Sequence, residues 1–432
     1  MSTLERFPAM QSWDFRRLFV NGFFTTGSRW TQVLARGWLV HELSDGSTNA
    51  VGWVTFASFI PFVVVGPFAG AIADRFDRRR LLIAGTIFGL IGALALAIIT
   101  IADVVQVWHV IALAFATGAA QAATVPTRQA LIANVVPSEH LLNAVALGGI
   151  SRHGSRVVGP LFGAALLSTL GAGSVFVFSA VLLAFGLVEA LRVRHRSTID
   201  PAALAEQQAA PGLIEAFGRL TTDLGKAVRY VRRDRRLLIV IGLVAAHCSF
   251  TMSFDSMMPT MAEEVGGGST LYSTILVGLG AGAIVGTLIV SQLHADRTRG
   301  IAFALAGLGS GLAMILMGTA TSGAAVVLAA TLAGFTQASY MTMSATLVQT
   351  IVTDDYRGRV MSVYIMIAAG HMAMLNLGYG RTAETVDVRL LLILPGILWI
   401  VIFGAGYVSL SGVRSLVHRG RFESMEPELL VV

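Results

Sequence analysis

The feature that most constrains this chain is a series of long apolar runs, each about the length of a membrane crossing, separated by short loops that hold most of its arginines. A helix needs about 20 apolar residues to cross the hydrocarbon core of a bilayer. Runs of that kind cover residues 15–41, 50–73, 80–101, 105–134, 140–170, 173–191, 237–261, 271–293, 301–321, 323–352, 358–380 and 389–411. Strict period-2 alternation is absent, which excludes a membrane β-barrel. The composition agrees: 55% of residues are hydrophobic and only 13% charged, against about 25% charged in soluble domains. A soluble globule, a disordered chain and a nucleic-acid binder are therefore excluded, although the net charge is +6. The single cysteine, Cys248, leaves no internal disulfide framework and no cysteine metal cage. Met1 to Arg17 is polar and mixed in charge, so no cleaved signal is expected.

Counting basic residues by side sets the expected orientation. With the N-terminus inside, 25 of the 31 Lys and Arg residues fall in inside segments, and only Arg381 and Arg389 in outside loops. Both termini are expected in the cytoplasm, and the chain in a bacterial inner membrane. The one long loop contains an amphipathic pattern over 212–235. Leu213, Phe217, Leu220, Leu224, Val228 and Val231 share one face; Arg219, Lys226, Arg229, Arg232 and Arg233 share the other. Such a basic helix suits an anionic inner leaflet. It serves as a tether or as a protein-docking helix.

That loop divides the spans into six and six, and the halves match at a nearly constant offset. Gly46-Ser47-Thr48 aligns with Gly268-Ser269-Thr270, Asp74-Arg75 with Asp296-Arg297, and Gly118-Ala119-Ala120-Gln121 with Gly334-Phe335-Thr336-Gln337. The expected organisation is a six-helix bundle over 1–195, a linker over 196–236, a second bundle over 237–411 and a tail over 412–432. Paired six-helix halves with a site at their interface are a transporter architecture.

After the second run the chain reads Gly70-Ala71-Ile72-Ala73-Asp74-Arg75-Phe76-Asp77-Arg78-Arg79. This resembles the major facilitator signature Gly-x-x-x-Asp-Arg-x-Gly-Arg-Arg/Lys, with Asp77 where the family most often has glycine. Ser155-Arg156-Val157-Val158-Gly159-Pro160 is similar to the Gly-Pro motif of its antiporter branches. Trp38-Leu39-Val40-His41-Glu42-Leu43, Pro126-Thr127-Arg128-Gln129 and Arg357-Gly358-Arg359-Val360 resemble a bacterial drug and siderophore (enterobactin) exporter branch. The resemblance implies an all-α fold of twelve membrane helices in two pseudo-symmetric bundles. It also implies alternating access, with spans 1, 4, 7 and 10 lining a central cavity.

Residue roles follow from placing charge in the membrane, where each unpaired charge costs a few kcal/mol (about 3). Arg29, Gln32 and Arg36 share one face of span 1. Asp255 on span 7, after His247 and Thr251, is set opposite them by the repeat, so a pair between Arg36 and Asp255 across the interface is expected. Arg29, Gln32, Arg36, Gln121, Gln337 and Tyr340 are the candidate substrate contacts, with Met341 and Met343 as adaptable wall. Asp255 is the candidate proton-coupling group. Gly70, Asp74, Arg75, Arg78, Arg156, Gly159 and Pro160 are the candidate gate: a carboxylate at a helix end can hold the N-terminus of a neighbouring helix, and Gly-Pro can bend a span. Arg152 and Arg156, beside His153, are the other intramembrane arginines. Glu263 and Glu264 read as a solvated rim, and His371 as a buried neutral histidine.

Four intramembrane arginines against one carboxylate point to an anionic or acidic-hydroxyl small molecule, exported in exchange for protons. Uptake of an organic anion, or a transport-dead sensor, are the alternatives. The sequence has no phosphate-binding loop, metal cluster or nucleophile elbow. No enzyme activity, cofactor or metal is expected, and the protein is expected to act as a monomer in the lipid bilayer.

Overall fold

A computed structural model describes residues 8–68, 77–194, 213–293, 295–420 and 422. The described residues are helical almost throughout and contain no β-strand. We number the α-helices α1 (Trp13–Leu43), α2 (Thr48–Val64), α3 (Arg78–Ile101), α4 (Val107–Val135), α5 (Leu141–Arg192), α6 (Leu213–Arg233), α7 (Arg235–Thr251), α8 (Met258–Glu264), α9 (Gly268–Ser291), α10 (Asp296–Thr319), α11 (Gly323–Ile351), α12 (Asp354–Thr382), α13 (Val388–Ser409) and α14 (Ser411–Arg419).

Local chemistry sets the ends. Ser12, Ser47 and Ser322 cap α1, α2 and α11, each accepting from the N–H three residues on. Asp77, the departure from the signature glycine, caps α3 by accepting from the Arg80 N–H at 2.9 Å. The α5 helix is two arms: Gly171 sits at φ +76°, a conformation glycine adopts freely. Phe162 and Phe178 then approach to 6.1 Å between ring centroids, whereas sixteen residues of straight helix would set them about 24 Å apart.

Ten described segments are long and apolar enough to cross a membrane. The α1 helix is not one of them, because Arg29, Arg36 and its Ser, Thr, Asn and Gln residues lower its hydropathy. It is nonetheless 31 residues long and packs beside the ten. The first arm of α5, which carries Arg152 and Arg156, begins before its qualifying segment at Val157. Span 7 departs from expectation in a different way. It is not continuous over 237–261: α7 ends at Thr251, a 3-10 turn covers Asp255–Met257, and α8 follows. Ser253 Oγ donates to the Cys248 carbonyl, and the Ser256 N–H donates to Asn376 Oδ1 at 3.1 Å. These side chains take up polar groups at the break.

The repeat is visible at atomic level. A Cβ on Gly118 of α4 would press on the Ser58 carbonyl of α2, with Ala57 beside it. A Cβ on Gly334 of α11 would run into the carbonyl of Leu279 on α9, the residue that aligns with Ala57. The same small residue sits at the same helix crossing in both halves.

The face where the interhelical loops 43–48, 101–107 and 382–388 lie is here the loop face; the one bearing α6 and α14 is the terminal face. The halves meet tightly at the loop face. Thr48 Oγ1 donates to the Gly380 carbonyl at 2.7 Å, and Gly52 lies against Leu377 and Gly380. At the terminal face α6 rests on the start of α12, with Tyr230 stacked on Tyr356 at 4.6 Å. Ala227 and Val231 of α6 are buried while Lys226, Arg229, Arg232 and Arg233 are exposed, so these side chains divide into a covered and an open face.

Candidate functional site

A small cavity, about 40 Å³, lies between the halves. Arg29, Arg36 and Gly37 of α1 and Ser58 and Phe59 of α2 form one wall; Asp255 and Tyr272 form the other. The break in span 7 places Asp255 here, at the first residue of its 3-10 turn. The guanidinium of Arg29 lies 5.1 Å from the ring of Phe62 and 5.8 Å from that of Phe59, a cation–π arrangement.

Arg36 is held from inside the N-terminal half. Its Nη2 donates to Gln32 Oε1 and, at 3.0 Å, to Thr117 Oγ1. Gln32 Nε2 donates to Ser179 Oγ at 2.8 Å and to Ser28 Oγ at 3.2 Å. Arg36 is only 6% exposed, and its Nε has no hydrogen-bond partner. The expected pair with Asp255 therefore takes a different form: both groups line one cavity, while the hydrogen bonds of Arg36 go to Gln32 and Thr117. Neutral oxygens hold this buried guanidinium without neutralising it, which leaves that role to an anion.

The other expected contacts lie elsewhere. Gln121 borders a second small cavity, about 40 Å³, inside the N-terminal half, with Thr25, Gln32, Thr117 and Arg128. Gln337 Nε2 donates to the Thr251 carbonyl at the end of α7. Tyr340 is fully buried in the C-terminal half, stacked between His247 at 4.2 Å and Phe303 at 4.6 Å and edge-on to Trp399. Each satisfies or fills its own bundle, so the structure places Gln121, Gln337 and Tyr340 away from the wall around Asp255. Met343 is likewise buried in the C-terminal core, where Met341 packs against it. His371 Nδ1 lies 2.7 Å from the Ile367 carbonyl on its own helix.

Of the gate residues, Gly70, Asp74 and Arg75 lie outside the described residues, as does the side chain of Arg156. Arg78 opens α3, half-buried. Gly159 and Pro160 are buried, and a Cβ on Gly159 would run into the Gly27 carbonyl and Thr31 of α1. The glycine thus admits α1 against α5 at backbone contact, just below the Gln32 network.

A latch absent from the sequence reading closes the loop face. Glu384, beyond α12, accepts from the Asn49 N–H at 3.0 Å and the Ser47 hydroxyl at 2.7 Å, capping α2 from the opposite half. The Asn49 N–H and the Ser47 hydroxyl hold its carboxyl below the usual carboxylate range. His41 Nε2 of α1 lies 2.9 Å from Glu263 Oε2 of α8. Glu264 pairs with Arg389 at 3.4 Å. Both rim glutamates remain partly exposed while approaching these neighbours. Trp38 stacks on Tyr272, another cross-half contact. Tyr272, the one aromatic residue of the Gly-rich α9, was the legible signal for that wall; nothing in the sequence pointed to Glu384.

The solved structures this chain resembles include a POT family transporter in complex with a thioalcohol-conjugated peptide (TM-score 0.71, 14% identity, 90% of this chain and 94% of that one). Another is the inward open conformation of the xylose transporter XylE from E. coli (TM-score 0.67, 11% identity, 95% and 97%). Among curated proteins it is 25% identical to the uncharacterized MFS-type transporter YfiS of Bacillus subtilis, over 89% of each chain. It is 20% identical to the staphyloferrin A transporter of Staphylococcus aureus, over 64% of this chain and 66% of that protein. With macrolide efflux protein A of Streptococcus pyogenes the identity is 21%, over 74% and 76%. The family model of the transmembrane secretion effectors matches residues 6–419, and the chain belongs to that family of major facilitator transporters.

Proposed function

We propose that this transporter exports an amphipathic organic anion in exchange for protons, as a monomer in a bacterial inner membrane with its terminal face in the cytoplasm. The observation that carries this reading is the cavity between the halves, with two arginines and one carboxylate on an otherwise largely apolar wall. That leaves a surplus positive charge for an acidic group and apolar surface for a carbon skeleton. Asp255 is the group there that can gain and lose a proton, because arginine stays charged. The closed loop face fits a conformation that loads substrate from the cytoplasm. Relatives named for macrolide efflux and multidrug resistance support export over uptake. Arg29 and Arg36 bind the anion, Gln32 positions Arg36, and Gln121, Gln337 and Tyr340 keep the bundle walls in register. Gly70, Asp74, Arg75 and Arg78, with Arg156 and the Gly159–Pro160 crossing, gate the cytoplasmic side.

The test is thermal stabilisation of purified protein by a matched series: naphthalene-1-sulfonate, naphthalene-1-sulfonamide and 1-naphthylmethylamine. The anion should stabilise most, and Arg36→Gln should remove that preference. Equal or greater stabilisation by the amine would overturn the anionic reading.

A further inference from the structure

Far from the central cavity, the terminal ends of α1, α3 and α5 enclose an open cleft of about 720 Å³. Trp13, Arg17, Arg79, Arg192 and Arg194 line it. We propose that this cleft holds the headgroup of an anionic phospholipid.

The charge balance comes first. Arg17 and Arg192 share one carboxylate, Glu189, at 2.8 and 3.0 Å. Arg79 donates to the Val193 carbonyl at 2.6 Å and the Leu191 carbonyl at 2.7 Å. Carbonyls satisfy its N–H groups and fix its position without neutralising it. The backbone N–H of Arg194 donates to Asp14 at 2.7 Å, while its guanidinium lies 5.4 Å from the Trp13 ring centroid. Neither Arg79 nor Arg194 forms an ion pair with a described residue. Arg17 lies over the same Trp13 ring at 4.0 Å and Arg16 at 5.3 Å. Among the described residues, four lining arginines thus face two carboxylates, Glu189 and Asp14. Like charges gathered around one partly exposed indole repel unless a counter-charge joins them.

The surroundings favour a lipid over a soluble phosphate. Trp13 is 40% exposed, and indoles collect at the membrane–water boundary. From the cleft, Leu191, Val188, Phe185 and Val181 run along the second arm of α5 at helical spacing, all exposed. That stripe offers acyl chains a path from the arginines into the bilayer. Basic pockets between helix ends on the cytoplasmic side suit anionic headgroups. The repeat supplies a contrast. At the start of α10, which corresponds to α3, the chain covers itself with α14: Val413 and Leu416 are buried, and Gly300 lies against the Leu416 and Val417 carbonyls. One half fills this position with apolar side chains of its own, whereas the described residues of the other rim it with arginine.

The test is quenching of Trp13 fluorescence, taken as the difference between wild type and Trp13→Phe, by brominated-chain lipids in mixed micelles. Brominated phosphatidylglycerol should act at a mole fraction about tenfold lower than brominated phosphatidylcholine. Arg79→Gln with Arg194→Gln should abolish the difference, and Arg357→Gln with Arg359→Gln should preserve it. Soluble glycerol phosphate should not compete. Equal quenching by the two lipids overturns the proposal even if the double variant fails to fold. Competition by glycerol phosphate would reassign the cleft to a soluble phosphate compound.

Discussion

The two halves share a backbone plan and differ in what fills them. Gly118 and Gly334 hold equivalent crossings, α4 on α2 and α11 on α9. Around those crossings the N-terminal half carries a polar chain from Arg36 through Gln32 to Ser28 and Ser179, with Thr117 alongside. The C-terminal half carries an aromatic stack of His247, Tyr340, Phe303 and Trp399. There Trp399 Nε1 donates to the Gly307 carbonyl at 2.7 Å, and His247 Nε2 lies 3.1 Å from Ser310 Oγ. A dense aromatic interior resists internal rearrangement and suits a body that moves as a unit. A hydrogen-bonded interior can hold a charge in place beside a cavity. The duplicated fold thus keeps its crossings and places the buried Arg36 in one half and Asp255 in the other, facing one cavity.

Substitutions can break this asymmetry, beginning where the effect is greatest. Arg36→Gln should weaken binding of naphthalene-1-sulfonate about a hundredfold, the scale of losing a buried charge partner. The melting temperature of the empty protein should not fall, because an unneutralised buried charge is removed with the side chain. A large drop in both would make Arg36 a folding residue. Gly334→Ala puts a methyl group into the Leu279 carbonyl and should cost roughly 2 kcal/mol or more. Calorimetry should find a smaller loss for Gly118→Ala, whose nearest neighbour stands at 2.9 Å; the reverse order would break the equivalence of the crossings.

Glu384→Gln should loosen the loop face a few-fold while sparing both interiors. The capped carboxylate lies below its ordinary range, so its contribution to closure is complete above the usual carboxylate value, near 4.3. It is lost as pH falls through the lowered value. Spin labels at Asp45 and Thr385 should separate in acid in the wild type, and the Gln variant should lack that acid step. The smallest effect is expected for Tyr340→Phe, whose hydroxyl is buried with no partner. Its removal should be neutral or stabilise by about 1 kcal/mol. Lost transport in that variant would return Tyr340 to the substrate wall.

The span pattern, the repeat and the Asp255 position were legible because hydropathy and charge in the membrane are strong, local signals. The facing of Gln121, Gln337 and Tyr340 was not. A span with apolar residues on every side does not distinguish a bundle interior from a central cavity, so residue identity alone does not set which way these polar residues face. The break in span 7 left a trace in Thr251, Ser253, Asp255 and Ser256, four short polar residues within six positions, but its completion depends on Asn376, 120 residues away. Glu384 caps a helix 335 residues distant, and no local pattern carries such a pairing.

Proton movement with the anion bears most directly on the function. Proteoliposomes would be loaded with naphthalene-1-sulfonate and a pH-sensitive dye, then diluted into buffer of equal pH without the anion. Antiport requires the lumen to acidify as the anion leaves, and Asp255→Asn should let anion exchange continue without that acidification. A lumen that turns alkaline as the anion leaves, or acidifies fully in the Asp255→Asn protein, would contradict proton exchange through Asp255.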